Sequence, residues 1–251
     1  MPIFPLGTVL YPGLLLPLHI FEQRYRRLVR DLVGRSDDAE RRFGVVAIRE
    51  GREVGSDGVL ALHEVVCTAE LRQVEAYEDG RFDIVTVGAT RFRLVGLDTS
   101  LPYLQGEVEL LPELPGDSSS VLAASVGTVF EAYRTALLSA QASITTSYTE
   151  VDAEEAGEAR EDDSAAAEEV DAPVARSAGG LDLPEDVGVL SYLVAAAMIL
   201  DLPDKQDLLA APDVTARLRA ELALLWRETT MLRLLPSLPA VDLLRQPVYP
   251  N

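Results

Sequence analysis

The residue types that carry most catalytic and metal chemistry are scarce in this chain. It contains two histidines, His19 and His63, one cysteine, Cys67, and one lysine, Lys205. A zinc site needs three or four suitable ligands, and nucleophilic catalysis needs a nucleophile beside a base. His63 and Cys67 share one face of a predicted strand, whereas His19 lies at a predicted strand-to-helix junction. We therefore predict no metal site and no Cys–His pair.

Other catalytic motifs are missing too. Lys205 lies in "LPDKQDLL" with no glycine loop before it, which excludes a phosphate-binding loop of the G-x-x-x-x-G-K-[ST] type. A serine–lysine pair would have to use the same lysine. The sequence contains neither G-x-S-x-G nor G-x-G-x-x-G. Its carboxylates are too numerous for any pair to stand out. We predict no catalytic residue and no cofactor.

The charge balance limits the partners. The 251 residues include 41 acidic and 22 basic side chains, for a formal net charge of −19. Such a chain repels nucleic acid and anionic membrane surfaces, so we predict neither as a partner. The single cysteine excludes an intramolecular disulfide and fits a reducing, cytoplasmic setting.

The opening stretch, "FPLGTVLYPGLLLPLHIFEQRYRRLVRDL", combines an apolar first half with an arginine-rich second half. A signal peptide needs a basic start and an unbroken apolar run. Here no basic residue precedes Arg24. Pro2 lies just before the run and Pro5, Pro12 and Pro17 interrupt it, and the run is also short for a bilayer span. The Pro-Gly pair predicts a turn between two strands, and from Phe21 the apolar spacing becomes helical. Strand, turn, strand and helix are the expected elements.

The remainder divides into a strand-rich part and a helical part. Residues 42–110 read as short strands, with Asp79-Gly80 as a hairpin turn. After Pro115-Gly116 the periodicity becomes helical, with further helices expected at about 184–200, 203–210 and 212–234. Between them, Glu150 to Asp171 holds eleven acidic residues and one arginine. This acidic segment predicts a disordered loop or a frayed helix.

Four segments resemble one known family, the Lon N-terminal domain, also called the Lon substrate-binding domain. That family begins with Phe-Pro-Leu, a Pro-Gly turn and a helix that starts as "hIFE.RY..L". Four such segments in the same order make the resemblance specific, and together they span most of the chain outside the acidic segment. They are "FPLGTVLYPGLLLPLHIFEQRYRRLVRD", "RFGVVAIREGREVG", "RFRLVGLDTSLPYLQGEVELLPE" and "LPDKQDLLAAPDVTARLRAELALLWRE".

The resemblance implies an α+β fold. A PUA-like β-barrel or sheet subdomain at residues 1–115 would be followed by a helical subdomain at 116–251, with the acidic insertion at about 150–176. It also implies contact with polypeptides. The ATPase and peptidase modules of the full protease have no counterpart here, so their activities do not carry over.

The candidate polypeptide-binding residues come from the opening hairpin and helix: Tyr11, Leu14, Leu15, Phe21 and Tyr25. Phe21 and Tyr25 repeat at helical spacing, so a core position is the simpler interpretation for both. Tyr11 precedes the Pro-Gly turn and is the one expected to be most exposed. An exposed apolar groove with free strand edges would then bind the polypeptide.

Two partner classes remain open. The first is a polypeptide client, which would make the protein an adaptor for protein quality control. The second is one dedicated folded partner, or self-association into a homo-oligomer, with the acidic segment docking on a basic surface or covering an apolar one.

Overall fold

The computed structural model describes residues 1–37, 40–51, 59–117, 120–155 and 183–234, with the backbone alone for 59–60 and 141–155. It contains seven strands: β1 (Ile3–Leu6), β2 (Leu15–Ile20), β3 (Arg42–Gly51), β4 (Val59–Leu62), β5 (Val65–Ala76), β6 (Phe82–Asp98) and β7 (Gln105–Leu111). Its five helices are α1 (Gln23–Val33), α2 (Ser120–Glu155), α3 (Val187–Ala197), α4 (Leu202–Ala210) and α5 (Val214–Leu234). The α+β class is confirmed.

The opening stretch folds as its sequence predicts. The Pro-Gly turn separates β1 from β2, and Gly13 has a φ of 83°, a backbone conformation that favours glycine. The helix α1 follows, with Tyr25, Leu28, Val29 and Leu32 on its buried face. Its arginines fall mainly on the other faces, so the change of period at Phe21 marks the true boundary between strand and helix.

The strands form one mixed sheet in the order β1-β3-β5-β6-β2, with β4 beside β3 and β7 beside β6. The β1–β3 pair is parallel and the other pairs are antiparallel. A bridge between Pro2 and Gln105 links the start of β1 to the start of β7. The Ile3 N–H also donates to Leu104 O at 2.9 Å, so β1 closes the sheet against β7. This closure makes the strand-rich part a barrel.

The longest hairpin joins β5 to β6 at the predicted turn. The Tyr77 N–H donates to Arg81 O at 3.0 Å, and Gly80 takes a φ of 82°. Two register shifts interrupt the pairing of β5 with β6. Because of these bulges and its length, β6 pairs with β2 near its start and with β7 near its end.

Two apolar clusters stabilise the strand-rich part. Ile3, Val46 and Val66 form the centre of the barrel core. Under α1, the ring of Phe4 stacks on that of Tyr25 with a centroid distance of 4.0 Å. The first strand therefore contributes to both clusters.

The C-terminal helices begin at aspartate caps, which accept hydrogen bonds from otherwise unsatisfied N–H groups. The Asp186 carboxylate accepts from Val189 N, and that of Asp201 accepts from Asp204 N. Of the apolar stripe expected on the last helix, Val214, Leu218, Leu225 and Leu232 are buried and Leu222 is half-buried. All three predicted helices are present within a few residues of the expected bounds.

By contacts, the chain forms two compact units. One comprises Met1–Val126 and Pro184–Ala223, and the other comprises the described parts of Gly127–Leu183 and Leu224–Asn251. In the second unit, Phe130 and Tyr133 stack on the buried side of α2. The backbone of α2 continues through the first residues of the acidic segment to Glu155. The rest of the predicted insertion lies outside the described residues, and the boundary at residue 115 stays a prediction.

Candidate functional site

A cavity of about 160 Å³ opens between β1, β2 and the start of α1. Its lining is mainly apolar, with one histidine and one carboxylate at the rim. The lining residues are Phe4, Pro5, Leu6, Leu18, His19, Ile20, Phe21, Glu22 and Tyr25. Three consecutive elements of the opening stretch therefore converge on one concave surface.

The strand-to-helix junction keeps one large aromatic side chain at the surface. Phe21 is 51% exposed, although it lies between buried Ile20 and the helix that buries Tyr25. Glu22 occupies the N-cap position without a side-chain capping bond. Its carboxylate instead contacts Arg24 Nε at 3.0 Å, which positions both side chains beside the cavity mouth.

Prolines lie on both strands that line the cavity, at positions that face away from the neighbouring strands β3 and β6. Pro2 O accepts from Gly44 N of β3, whereas Ile3 N–H points the opposite way, to Leu104. Successive strand residues alternate the side to which their main-chain groups point, so Pro5 faces the same way as Ile3, away from β3.

The same alternation places the proline of β2. Leu14 O accepts from Gly88 N at 2.8 Å, so the main chain of Leu14 faces β6. Three residues later, Pro17 must face away from β6, and its side chain is exposed. Proline offers no N–H, and natural proteins use it to block pairing at strand edges.

Beside the cavity, a polar cluster spans β2, β6 and the β5–β6 hairpin. His19 Nδ1 lies 2.6 Å from Asp83 Oδ1, and the Tyr77 hydroxyl donates to Asp83 Oδ2 at 2.6 Å. The guanidinium of Arg81 lies 5.8 Å from the Tyr77 ring centroid. The hydrogen bonds from Tyr77 and His19 lower the pKa of Asp83, so this carboxylate is charged at neutral pH.

The structure places the five predicted site residues very differently. Phe21 and Tyr25 both line the cavity, although Tyr25 is only 4% exposed. Leu15 is 69% exposed and Leu14 is half-buried, and neither lines the cavity. The expected core position is therefore right for Tyr25 and wrong for Phe21.

The expected exposure of Tyr11 is wrong. This residue is 1% exposed, and its hydroxyl donates to Lys205 O at 2.8 Å. A Cβ at position 88 would lie 2.1 Å from Tyr11 O, so Gly88 provides the space for the Tyr11 backbone. The burial follows from a contact with α4, nearly two hundred residues away in sequence, which no local pattern reveals.

A buried ionic cluster holds the C-terminal helices against the strands within the first unit. Arg217, which is fully buried, contacts Glu113 and donates to Ser191 Oγ at 2.8 Å. Its guanidinium also lies 3.7 Å from the ring centroid of Tyr192, whose hydroxyl donates to Glu113 at 2.5 Å. This cluster fixes α5 and α3 on the strand-rich part.

Arg91 extends that cluster to α4. It is 3% exposed and donates to the carbonyl oxygens of Leu209 and Ala211, each at 2.7 Å. The same side chain contacts Glu113 at 3.0 Å. Arg91 thus satisfies carbonyl groups at the end of the helix while its charge is paired, which is the arrangement a buried arginine needs.

Three residues of these clusters were not predicted from the sequence: Arg91, Arg217 and the half-exposed Tyr77. In α5, Arg217 and Glu221 lie four residues apart on the face that carries Val214 and Leu218, which was a signal for buried charge. For Arg91 and Tyr77 no comparable signal exists, because their partners come from other elements.

Burial shifts the pKa values of three of the four residues first considered for catalysis. Burial raises the pKa of the Cys67 thiol to about 12 and lowers the pKa of His63. Both shifts favour the uncharged form of the side chain. Burial also lowers the pKa of Lys205. Within the described ranges, no group of three or more His, Cys, Asp or Glu side chains is placed to hold a metal ion.

Comparison with known proteins decides the family. Residues 1–227 match the family model of the ATP-dependent protease La (LON) substrate-binding domain. The chain belongs to this family. The resemblance drawn from the opening stretch and the three later segments is confirmed, and the LON domain takes in all the elements that build the cavity.

The LON domain relatives are much longer proteins. Over 93% of this chain, identity is 27% to Lon protease 2 of Sorangium cellulosum and 25% to Lon protease 2 of Myxococcus xanthus. This chain spans only 25% and 24% of their respective lengths. The match falls on their substrate-binding part, as the family model indicates.

Two solved LON domains share the fold. The Lon N-terminal domain protein from Xanthomonas campestris is 22% identical, with a TM-score of 0.53, and the match covers 89% of this chain and 96% of that one. The N-terminal domain of the Mycobacterium avium complex Lon protease is 17% identical, with a TM-score of 0.55 and coverage of 91% and 97%. Strands followed by C-terminal helices are therefore the family architecture.

One helical segment of the LON domain chain is apolar over a membrane-spanning length. It is Ser120–Ala140 in α2, with a mean hydropathy of 1.2 and 28% of its residues buried. It contains the ion pair Glu131–Arg134. Buried Val126, Phe130 and Tyr133 recur on this segment at helical spacing, as in a helix of a packed domain.

Proposed function

We propose that this protein is a non-catalytic polypeptide-binding module that serves as an adaptor in protein quality control. Membership of the LON substrate-binding domain family supports the binding of polypeptide. The observation that carries the proposal is the apolar cavity between β1, β2 and α1, with half-exposed Phe21 at its rim. Concave apolar surfaces with a few polar groups at the rim are the usual binding sites of proteins.

The proposed client-binding surface combines the cavity with the exposed part of the opening hairpin. Phe21 would make the main contact, and Leu15 and Leu14 would add apolar area outside the cavity. Tyr11 and Tyr25 would act from beneath, since both rings are buried and hold the surface in place. The function needs no cofactor, no metal and no catalytic group, and the negative charge of the chain disfavours nucleic acid and membranes as partners.

Titration with a permanently unfolded client tests the proposal. Reduced and carbamidomethylated lysozyme, labelled with a fluorophore, should bind with micromolar affinity in an anisotropy assay. Phe21→Ser should weaken binding by about tenfold, since a half-buried aromatic anchor contributes on the order of 1–2 kcal/mol. Val95→Ser is the matched control, because Val95 is similarly exposed, at 54%, and lies on β6, which does not line the cavity.

The absence of binding at high micromolar concentration would refute the client-binding function. Equal loss of affinity in Phe21→Ser and Val95→Ser would instead show that the cavity is not the binding surface. Both variants replace an exposed side chain, so both should unfold at the same denaturant concentration as the unmodified protein.

A dedicated folded partner or self-association is the second candidate. The second unit presents large apolar side chains at the surface, with Trp226 56%, Met231 51% and Leu234 71% exposed. Analytical ultracentrifugation of the full chain and of a chain lacking residues 150–171 tests this candidate. A dimer that Trp226→Ser dissociates would favour it, whereas a monomer in every sample would count against self-association. The cytoplasmic setting and the domain boundary near residue 115 remain part of the proposal.

A further inference from the structure

Prolines on the strands around the cavity disfavour one common mode of polypeptide binding. In strand addition, an extended segment pairs its main chain with a free sheet edge. On the two strands that line the cavity, Pro5 faces away from β3 and Pro17 faces away from β6, so neither offers an N–H to a third strand. A segment that binds here must therefore be held mainly by its side chains.

The cavity has the size of one large apolar side chain. Its volume of about 160 Å³ is close to that of engineered apolar cavities of about 150 Å³ that bind benzene. Leu18, Ile20 and Phe4 supply apolar walls, and the ring of Phe21 borders the mouth. A phenyl ring or a leucine side chain fills such a space, whereas a helix does not.

The surface beside the mouth carries unbalanced negative charge. A row of directly opposed residues crosses three strands: Glu75 of β5 lies opposite Asp83 of β6, which lies opposite His19 of β2. Like charges at opposed positions are unfavourable, and a cation placed between them relieves the repulsion. Glu75 and Glu78 make no ion pair within the part of the chain that the structure describes.

The arginines near the mouth balance this charge only in part, since two of them are paired with other carboxylates and Arg26 is the one left to offset it. Arg24 contacts Glu22, and Arg81 contacts Asp79 at 2.6 Å. Arg26 donates to the carbonyl oxygen of Asp79 at 2.8 Å. The carboxylates of Glu75, Glu78 and Asp83 therefore set the sign of the local field.

We infer that this site binds an extended basic segment of a polypeptide: one large apolar side chain enters the cavity, a neighbouring arginine or lysine contacts the Glu75–Asp83 row, and no strand is added to the sheet. The inference rests on the proposed polypeptide-binding function and names the sequence class that the site selects. The net charge of −19 favours basic clients over the whole surface as well.

A set of labelled heptapeptides tests each part of this inference on the full chain. The parent is Gly-Arg-Ser-Phe-Ser-Arg-Gly. Replacing its phenylalanine with alanine should weaken binding by about tenfold or more. Replacing both arginines with glutamate should do the same. Raising the ionic strength should weaken binding of the parent peptide more than binding of a neutral peptide in which both arginines are glutamine. Methylating the backbone nitrogens of the two serines should leave the affinity within about twofold, since side chains hold the segment.

Two opposite results would overturn the inference. Loss of binding on backbone methylation would show that the segment adds as a strand in spite of Pro5 and Pro17. Equal affinity for the arginine and glutamate peptides would show that the Glu75–Asp83 row does not select charge.

Matched variants of the protein locate the two contacts. The double variant Glu75→Gln with Glu78→Gln should lower the affinity for the parent peptide by roughly threefold and leave the affinity for the neutral peptide unchanged. The control is Glu64→Gln with Glu107→Gln, which removes two exposed carboxylates that lie outside the Glu75–Asp83 row. If the control weakens binding as much, the preference comes from the overall charge and the local contact is disproved.

The unfolded client separates failure of this inference from failure of the proposed function. If carbamidomethylated lysozyme binds and Phe21→Ser weakens its binding, while the peptides show no preference for basic residues, the function stands and the inference is wrong. If neither the client nor any peptide binds, the proposed function itself is refuted.

Discussion

Two clusters of arginine, carboxylate and tyrosine lie in the same unit of this protein and differ chiefly in burial. In the first, Arg217 and Arg91 are 0% and 3% exposed around Glu113. In the second, the side chains of His19 and Asp83 are 47% and 44% exposed. The chemistry is similar, but in the first cluster water reaches only the Glu113 side chain, which is 37% exposed, while both arginines are buried.

The difference decides what each cluster can do. Buried charges have lost their hydration, so removing one partner leaves the other uncompensated and destabilises the fold strongly. Exposed pairs contribute little, because water replaces a lost partner and salt screens the attraction. The buried cluster therefore holds α3, α4 and α5 in place, and the exposed one is free to exchange its contacts for those of a client.

Replacing Arg217 should have the largest effect on stability. Arg217→Met removes the guanidinium between Glu113, Ser191 and the Tyr192 ring, and we expect a loss of about 3 kcal/mol in the free energy of unfolding. Denaturant titration measured by circular dichroism gives this value. Arg219→Met is the control, since Arg219 is exposed on the same helix and its loss should leave the midpoint unchanged. Equal midpoints for the two variants would contradict a structural role for the buried cluster.

Glu221 should make stability depend on pH. Burial raises the pKa of this carboxyl to about 8, although Arg217 opposes the shift, and neither carboxyl oxygen has a hydrogen-bond partner among the described residues. The folded pKa exceeds the unfolded one, so the unfolded state loses its proton first. Stability is therefore highest below the unfolded pKa, falls as pH rises from about 4.5 to about 8, and levels off above that.

Glu221→Gln isolates this effect. Between about pH 5.5 and pH 7.5 the unmodified protein should lose on the order of 2–3 kcal/mol relative to the glutamine variant, since one pKa unit corresponds to about 1.4 kcal/mol. The measurement is the free energy of unfolding of both proteins across that range. Parallel curves would show that Glu221 is ionised in the folded protein. Glu107→Gln, at an exposed position, should give a curve parallel to that of the unmodified protein.

Local signals predicted most of the fold. The Pro-Gly turn, the change of period at Phe21 and the Asp79-Gly80 hairpin all act through neighbouring residues, so the printed sequence contains what is needed to find them. No such local signal marks the end of α2. Glu150 to Glu155 are helical in backbone although their composition is acidic. Composition predicts the loss of apolar contacts there, and a continuing helix needs few of them.

The candidate site was harder to predict, because it depends on pairing between distant segments. Phe21 was found from its type, but its exposure depends on how β2 meets α1. The burial of Tyr11 depends on the main chain of Lys205, and the cluster at Asp83 requires the register that places His19 opposite it. Local periodicity reveals neither the Lys205 contact nor the His19–Asp83 register.

Leu15 offers a test of how far the client-binding surface extends. It is 69% exposed and lies outside the cavity. We therefore expect Leu15→Ser to lower the affinity for the unfolded client by about twofold, which is less than the loss caused by Phe21→Ser. The anisotropy titration used for Phe21 gives the comparison. A larger loss for Leu15 than for Phe21 would move the main contact from the cavity to the outer face of β2.

The smallest expected effect on stability is that of Asp83→Asn, which is best measured beside a carboxylate variant of the buried cluster. Glu113→Gln should lower the free energy of unfolding by about 2 kcal/mol, because buried Arg91 and Arg217 lose their anion while its own partial exposure moderates the loss. Asp83→Asn removes the acceptor of Tyr77 and the partner of His19, yet water can replace it, so the denaturation midpoint should not move. The same Asp83 variant should lower the affinity for the arginine-containing peptide and leave the affinity for the neutral peptide unchanged. If Asp83→Asn instead shifts the midpoint as far as Glu113→Gln does, the exposed cluster supports the fold as the buried one does, and the division of roles between them is wrong.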